Sequence, residues 1–450
     1  MQRDAIDLGR ARIPRLFRIY FIPTLIGMLS ICAVTAIDGI FIGHGVGSDG
    51  LAAVNICMAP LLSLMGVGLM LGMGASVVAS IHLASGNVKA ARLNATQSLA
   101  CGTLVMAVFL AVTMANPEAT ARILGADDAL MPLATDYMVW IFPSVLFQIW
   151  DAIGLFIVRL DGSPKYAMWC NVVPALLNIV LDYVFIFPLG MGLRGAAIAT
   201  FISCAVGGLM AIIYIAFAAR ELRLIRIKLS RKSLMLSLRN IGYQCKIGIS
   251  AFLGETTMGM LMFMGNLAFI KYVGTDGVGA FSIACYYCPF VFMIGNAIAQ
   301  SAQPIISYNY GLRQYGRVAE TERFAIMAAV TIGVVLTLIF TTLPGFLVSL
   351  FLEGDGPTVR TAVEGLPLFA AAFVPYIFNL TAIGYFQSVE RVAPSVVFAL
   401  LRGVVFIVPA FIFMPELTGV RGIWLALAVS EMLTALSIIV FYSVRRRSVR

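Results

Sequence analysis

The sequence predicts an all-α polytopic membrane protein with twelve transmembrane helices, arranged as two six-helix bundles related by a pseudo-twofold along the membrane normal. Three observations predict it. Of 450 residues, 60% are hydrophobic and only 12% charged, against about 25% charged in a soluble domain. Apolar runs of about 20 residues or more, each long enough to cross a hydrocarbon core of about 30 Å as a helix, recur along the whole chain. Finally, Val46-Gly47-Ser48-Asp49-Gly50 returns 227 residues later as Val273-Gly274-Thr275-Asp276-Gly277, and Leu193-Arg194-Gly195 returns at the same offset as Val420-Arg421-Gly422. Recurrence at half the chain length marks a duplicated unit.

The runs fall near 14–42, 51–82, 93–115, 132–158, 166–188, 194–218, 241–271, 279–308, 321–352, 360–388, 394–414 and 420–444. They do not alternate in polarity, which excludes a β-barrel. The first is long and follows Arg3, Arg10 and Arg12, as expected of a retained span rather than a cleaved leader. The second carries Gly66, Gly68, Gly72 and Gly74, which suit close helix packing. Pro23, Pro60, Pro143, Pro174, Pro289, Pro304, Pro375 and Pro409 fall inside spans, where each removes an intrahelical hydrogen bond and favours a kink. Residues 219–240 interrupt the pattern with Arg220, Arg223, Arg226, Lys228, Arg231 and Lys232. They read as a basic cytoplasmic linker between an N-terminal bundle, 1–218, and a C-terminal bundle, 241–450. Six is even, so both bundles run the same way, and a cavity opening to one side at a time is expected between them.

The formal net charge is +9, yet its placement argues against nucleic acid. With both termini in the cytoplasm, only Arg122, Arg194, Lys271, Arg360 and Arg421 lie outside, and Lys246 and Arg402 fall within helices. The remaining basic residues gather inside, as the positive-inside rule requires of a multi-pass cell-membrane protein, and meet lipid headgroups and solvent. The eight cysteines lie in apolar stretches. Cys285-Tyr286-Tyr287-Cys288 has no second pair, so small buried hydrophobes are expected rather than a metal or redox site. A monomer is expected.

The polar residues of the first half carry the chemistry. Asp38 precedes the Gly43 loop by five residues, Asp182 precedes Pro188 by six, and Thr200 follows Arg194 by six. At 1.5 Å per residue these share a depth of roughly 8–9 Å below the outer surface. Asn178 lies one turn from Asp182 on the same face. An ionised carboxylate in a low-dielectric bundle is costly unless it binds a cation or takes up a proton. No basic residue of this half lies at that depth, which leaves H⁺ or Na⁺ as partner, since hard cations favour oxygen ligands. The alternative is that both aspartates face a water-filled vestibule. Asp151, with Gln148 one turn earlier, is a further candidate.

Asp38-Gly39-Ile40-Phe41-Ile42-Gly43 followed by Leu51-Ala52-Ala53-Val54 resembles the first-helix motif of the multidrug and toxic compound extrusion transporters. Gln303-Pro304-Ile305-Ile306-Ser307-Tyr308-Asn309-Tyr310-Gly311 is similar to the end of the eighth helix in their MepA-like and DinF-like bacterial members. The resemblance covers nearly the whole chain. It implies H⁺- or Na⁺-coupled export of amphipathic, often cationic compounds, with no cofactor. It also implies that Asp38, Asn178, Asp182 and Thr200 form the coupling network, that Pro23 bends the first helix, and that Tyr137 belongs to the same network.

The second half does not copy this site: at the repeat offset Asp38 becomes Gly265 and Thr200 becomes Leu427. Glu255, Arg402 and Glu431 instead fall in spans seven, eleven and twelve, roughly 12–17 Å deep by helix rise. A mutual cluster lowers the cost of burying all three. The seventh-helix glutamate of some family members resembles Glu255, and a free Glu255 suits a cationic substrate. The 22 Met, 30 Phe and 15 Tyr suit a cavity that repacks around different ligands. A lipid-linked precursor flippase is the alternative, but it calls for several deep arginines and only Arg402 is deep. An enzyme is not expected: HExxH and GxGD are absent, and Asp127-Asp128, the one acidic pair, falls in an external loop.

Overall fold

The computed structural model describes residues 6–448 apart from 47, 129, 228, 229, 353 and 355. Arg3, Gly47, Lys228 and Arg450 therefore lie outside the described residues. The regular structure is helical throughout. In chain order the helices are α1 (Ile13–Gly45), α2 (Ser48–Ala84), α3 (Val88–Ala115), α4 (Pro117–Ile123), α5 (Met131–Leu160), α6 (Pro164–Ile186), α7 (Gly192–Ile213), α8 (Arg231–Tyr272), α9 (Thr275–Gly311), α10 (Tyr315–Thr342), α11 (Pro344–Ser349), α12 (Pro357–Ala370), α13 (Phe373–Ser388), α14 (Val392–Leu400), α15 (Ile407–Thr418) and α16 (Val420–Ser448). Two π-helical turns, Tyr214–Ala218 and Leu401–Val405, extend α7 and join α14 to α15. Among the described residues eleven helical spans are long and apolar enough to cross a membrane, with α14 and α15 counted as one, or twelve when α12 and α13, bent by 44° at their junction, also count as one span.

Four boundaries depart from expectation, each for a local reason. α1 runs through Gly43 to Gly45, so Asp38 lies two turns inside the helix rather than beside a loop. α8 begins at Arg231, ten residues before its apolar run at 241, because Ser230 Oγ accepts the Ser233 N–H at 3.3 Å and starts the helix. Hydropathy reads burial in lipid and is silent about a helix that extends into water. The expected run 321–352 stops at Thr342, and Pro344 opens the separate α11. The run 360–388 bends after Ala370. Pro367 removes a hydrogen bond near the end of α12, while Pro375 sits in the first turn of α13, where no N–H is needed.

The described chain forms two compact units. The first holds residues 1–252 and 307–315, the second 253–306 and 316–450. In the first, α5 is central and packs on α2, α3 and α7, while α1 lies along α6. Small residues set these approaches. A Cβ on Gly68 or Gly72 would press on Ala152 at 3.0 Å or Phe156 at 2.7 Å of α5. Gly74 and Gly248 mark a closer crossing of α2 with α8, where a Cβ would strike the backbone of Gln244 and Met70 respectively. The segment after α7 is held tightly. Asp161 accepts the N–H groups of Arg220, Glu221 and Leu222 at 2.9, 2.8 and 3.0 Å and the Tyr214 O–H at 2.9 Å. Arg92 Nε donates back to the Glu221 carbonyl at 2.6 Å.

The second unit is built on aromatic rings. Phe269 stacks on Phe281 at 5.1 Å, Trp424 meets Phe269 edge-on at 5.0 Å, and Phe373 does the same with Phe340 at 4.9 Å. Trp424 seats directly over Gly365, where a Cβ would overlap its indole.

Gly74→Leu and Gly248→Leu should each destabilise the purified protein by about 1–3 kcal/mol, because backbone has to move to admit the side chain. Thermal melts in detergent test this. Gly259→Ala, with nothing within 4 Å of the added carbon, should melt at or slightly above the wild-type temperature.

Candidate functional site

In the first unit, α1 and α6 bring Asp38 and Asp182 face to face within hydrogen-bond reach. Asp182 is fully buried and Asp38 half-buried. Both oxygens of Asp182 and Oδ1 of Asp38 are enclosed with no hydrogen-bond donor. These two facts agree: two ionised carboxylates accept only, so their contact becomes a hydrogen bond once one of them carries a proton. One turn before Asp182, Asn178 Nδ2 donates to Thr200 Oγ1 on α7 at 3.4 Å. Tyr137, 1% exposed on α5, is in electrostatic range of both aspartates. Among the described residues no Lys or Arg pairs with either aspartate, and the enclosed oxygens gain nothing from solvent.

Helix α1 holds Asp38 against α6 through a close approach further down. Gly27 lies under Asn171, leaving 2.9 Å between an added Cβ and Nδ2. Pro23, one turn before Gly27, is buried inside a continuous α1 and leaves the Ile19 carbonyl without its helical donor. Thr24 beside it is 4% exposed with Oγ1 unpartnered.

Gln148 and Asp151 sit deeper along α5. Gln148 Nε2 donates to Ser144 Oγ at 2.9 Å, and that hydroxyl donates to the Ile141 carbonyl at 2.6 Å. Cys204, one turn beyond Thr200, is in range of Ser144, Gln148, Asp151 and Asp38, so polar groups link the two levels. Asp151 Oδ1 is buried and unpartnered. Arg159, reckoned from the sequence among the cytoplasmic basic residues, is only 4% exposed and lies 5.2 Å from the Phe156 ring centroid. Thr24, Ser144 and Cys204 escape a reading of the sequence because single hydroxyls and thiols in apolar runs look like ordinary helix-packing residues. Only their neighbours distinguish them.

In the second unit, Arg402 and Glu431 form a dry ion pair. Arg402 Nε donates to Glu431 Oε1 at 2.6 Å, with side-chain exposures of 2% and 0%. Asn379 Nδ2 donates to the other carboxylate oxygen at 2.7 Å and to the Glu431 carbonyl at 2.8 Å. The guanidinium lies 4.2 Å from the Tyr376 ring centroid. A π-helical turn carries Arg402, and Pro409, lacking an N–H for the Val405 carbonyl, follows it. Glu255 does not join this pair. It is half-buried and, among the described residues, makes no ion pair, so a three-member cluster is not what the structure builds. Helix rotation gives the reason: Gly403 packs on Thr257, and Glu255, two residues earlier on α8, faces about half a turn away from that contact.

The MatE family model matches residues 23–184 and 251–412, once in each half. The multidrug export protein MepA of Staphylococcus aureus (strain N315) is 26% identical over 429 residues, covering 95% of this chain and 93% of its own length. MepA of Staphylococcus saprophyticus is 26% identical over 433 residues, with the same shares covered. An outward-facing structure of a multidrug resistance MATE family transporter superposes with a TM-score of 0.88 at 23% identity, covering 98% of this chain and 97% of that one. A MATE structure in a bent conformation gives 0.85 at 23% identity, covering 98% and 97%. At such identities the solved structures speak for the fold.

Removing one member of the dry pair strands the other. Glu431→Ala or Arg402→Ala should cost about 3–5 kcal/mol, while the double change Arg402→Leu with Glu431→Leu should regain much of it. Thermal melts of the three purified variants decide this, and single variants that melt like the wild type would refute it.

Proposed function

This chain belongs to the MatE family, and from that premise we propose that it exports amphipathic, cationic compounds across the cell membrane in exchange for H⁺ or Na⁺ by alternating access. The observation that carries the reading is the facing pair Asp38 and Asp182, enclosed with no hydrogen-bond donor and no Lys or Arg partner among the described residues. Two like charges side by side in a low dielectric repel strongly. One proton held between the carboxyls relieves this with a single hydrogen bond. Na⁺ relieves it too, with Asp38, Asp182, Asn178 and Thr200 all offering oxygen. The protein's own residues then do the rest. Loss of the cation sets α1 and α6 apart at Asp38 and Asp182, and α1 yields at Pro23, where a hydrogen bond is already missing. The cation thus favours one access state and its loss the other.

The substrate class rests on two supports. Relatives over nearly the full chain are multidrug export proteins. Glu255 is a half-buried carboxylate that makes no ion pair among the described residues, which suits a cationic compound. The flippase reading has weaker support: of the two buried arginines among the described residues, Arg402 is already spent on Glu431 and Arg159 lies against the Phe156 ring.

Asp38→Asn and Asp182→Asn should each reduce efflux of a fluorescent cation to the level of cells lacking the protein, with expression and melting temperature retained. Arg122→Ala, exposed on the short helix α4, should leave efflux unchanged. Wild-type efflux from either Asn variant would remove the coupling site. Collapsing the pH gradient and the Na⁺ gradient separately in loaded vesicles then identifies the ion.

A further inference from the structure

Helix α8 has 42 residues, about 63 Å at 1.5 Å per residue, whereas the hydrocarbon core takes only about 20 residues. Its N-terminal part therefore reaches the headgroup region. Two kinds of exposed side chain share that part. Arg231, Lys232 and Arg239 are exposed. So are Leu234, Leu236 and Leu238, at 45, 45 and 71%. Cationic heads beside uncovered apolar side chains fit the boundary between lipid tails and headgroups.

The opposite face of the same turns is fixed to α3 by side-chain amides. Asn240 Nδ2 donates to Asn94 Oδ1 at 2.8 Å and to Gln97 Oε1 at 2.5 Å, Gln97 Nε2 donates to Ser237 Oγ at 2.7 Å, and Gln244 Nε2 donates to Asn94 Oδ1 at 2.7 Å. Above this rigid floor lies an open groove of about 560 Å³, whose lining includes Ser233, Ser237, Arg239, Asn240 and Leu236. None of its lining residues is acidic. Arg239 makes no ion pair among the described residues. The groove thus offers one uncompensated cation, hydroxyls and amides, an apolar wall, and continuity with uncovered leucines.

We propose that this groove between α3 and the first turns of α8 binds the headgroup of an anionic phospholipid from the leaflet on the basic side of the protein. Arg239 pairs with the phosphate, Ser233 and the edge of the amide floor take the headgroup hydroxyls, and the acyl chains lie along Leu236 and its exposed neighbours. A free phosphate would use the cation and the hydroxyls but leave the apolar wall in water.

Native mass spectrometry of the full-length protein in detergent, titrated with phosphatidylglycerol, phosphatidylcholine or inorganic phosphate, tests this. Phosphatidylglycerol should bind several-fold more tightly than phosphatidylcholine. Arg239→Gln should weaken phosphatidylglycerol about five-fold and abolish the preference, while Arg239→Lys keeps most of it. Ser233→Trp, which fills the groove and leaves the charge, should also weaken it. Equal phosphatidylglycerol affinity in wild type and Arg239→Gln overturns the proposal. So does an equal loss from Arg226→Gln, which would mean diffuse surface charge, or displacement of the lipid by inorganic phosphate at matched concentration.

Discussion

Hydrocarbon offers no hydrogen bonds, so every polar group carried into a span has to find its partner inside the protein or bring one with it. The structure meets this constraint in two opposite ways. Around Arg402 and Glu431 the partners are built in: a 2.6 Å ion pair, an asparagine donating to the second carboxylate oxygen, and an aromatic ring against the guanidinium. Around Asp38 and Asp182 they are left out, and three carboxylate oxygens are enclosed with no donor. The first arrangement neutralises its charges in place, leaving Arg402 Nη2 and Asn379 Oδ1 without a partner but no net charge for an exchangeable ion to balance. The second is incomplete in the way a coupling site has to be, because its energy changes when a small cation enters or leaves.

This contrast also shows what duplication preserved. The MatE model matches each half once, whereas the π-helical turns fall at different places, one ending the span that contains α7 and the other inside the span that joins α14 to α15. The polar content differs too. The first unit keeps two aspartates in contact where the second, at the repeat offset, has glycine and apolar residues. One copy holds a titratable pair while the other is tied by aromatic stacking and a closed ion pair.

Close backbone contacts and polar clasps hold the first unit around its incomplete site. Gly74 and Gly248 let α2 and α8 touch through backbone, and Asp161 gathers three successive N–H groups of the segment after α7. Buried amides join α3 to α8. Internal prolines interrupt α1 at Pro23, α2 at Pro60, α5 at Pro143 and α6 at Pro174, and of these helices α1 carries Asp38 of the facing pair.

The sequence by itself determined the helical class, the number of spans, the duplication and the identity of the polar residues at depth, because lipid solvation acts on each segment separately and leaves a local record in hydropathy and charge. Asp38, Asn178, Asp182 and Thr200 were legible for the same reason: a polar residue in an apolar run is costly wherever it ends up. Only the tertiary structure decided who meets whom. It joined Asp38 to Asp182 and Arg402 to Glu431, left Glu255 out, drew Ser144 and Cys204 into the polar track, and extended α8 to Arg231 beyond its apolar run. Those outcomes depend on helix rotation, on glycine-permitted approach and on caps such as Ser230. These involve pairs of residues far apart in the chain or a single hydrogen bond, and neither leaves a periodic trace in one sequence.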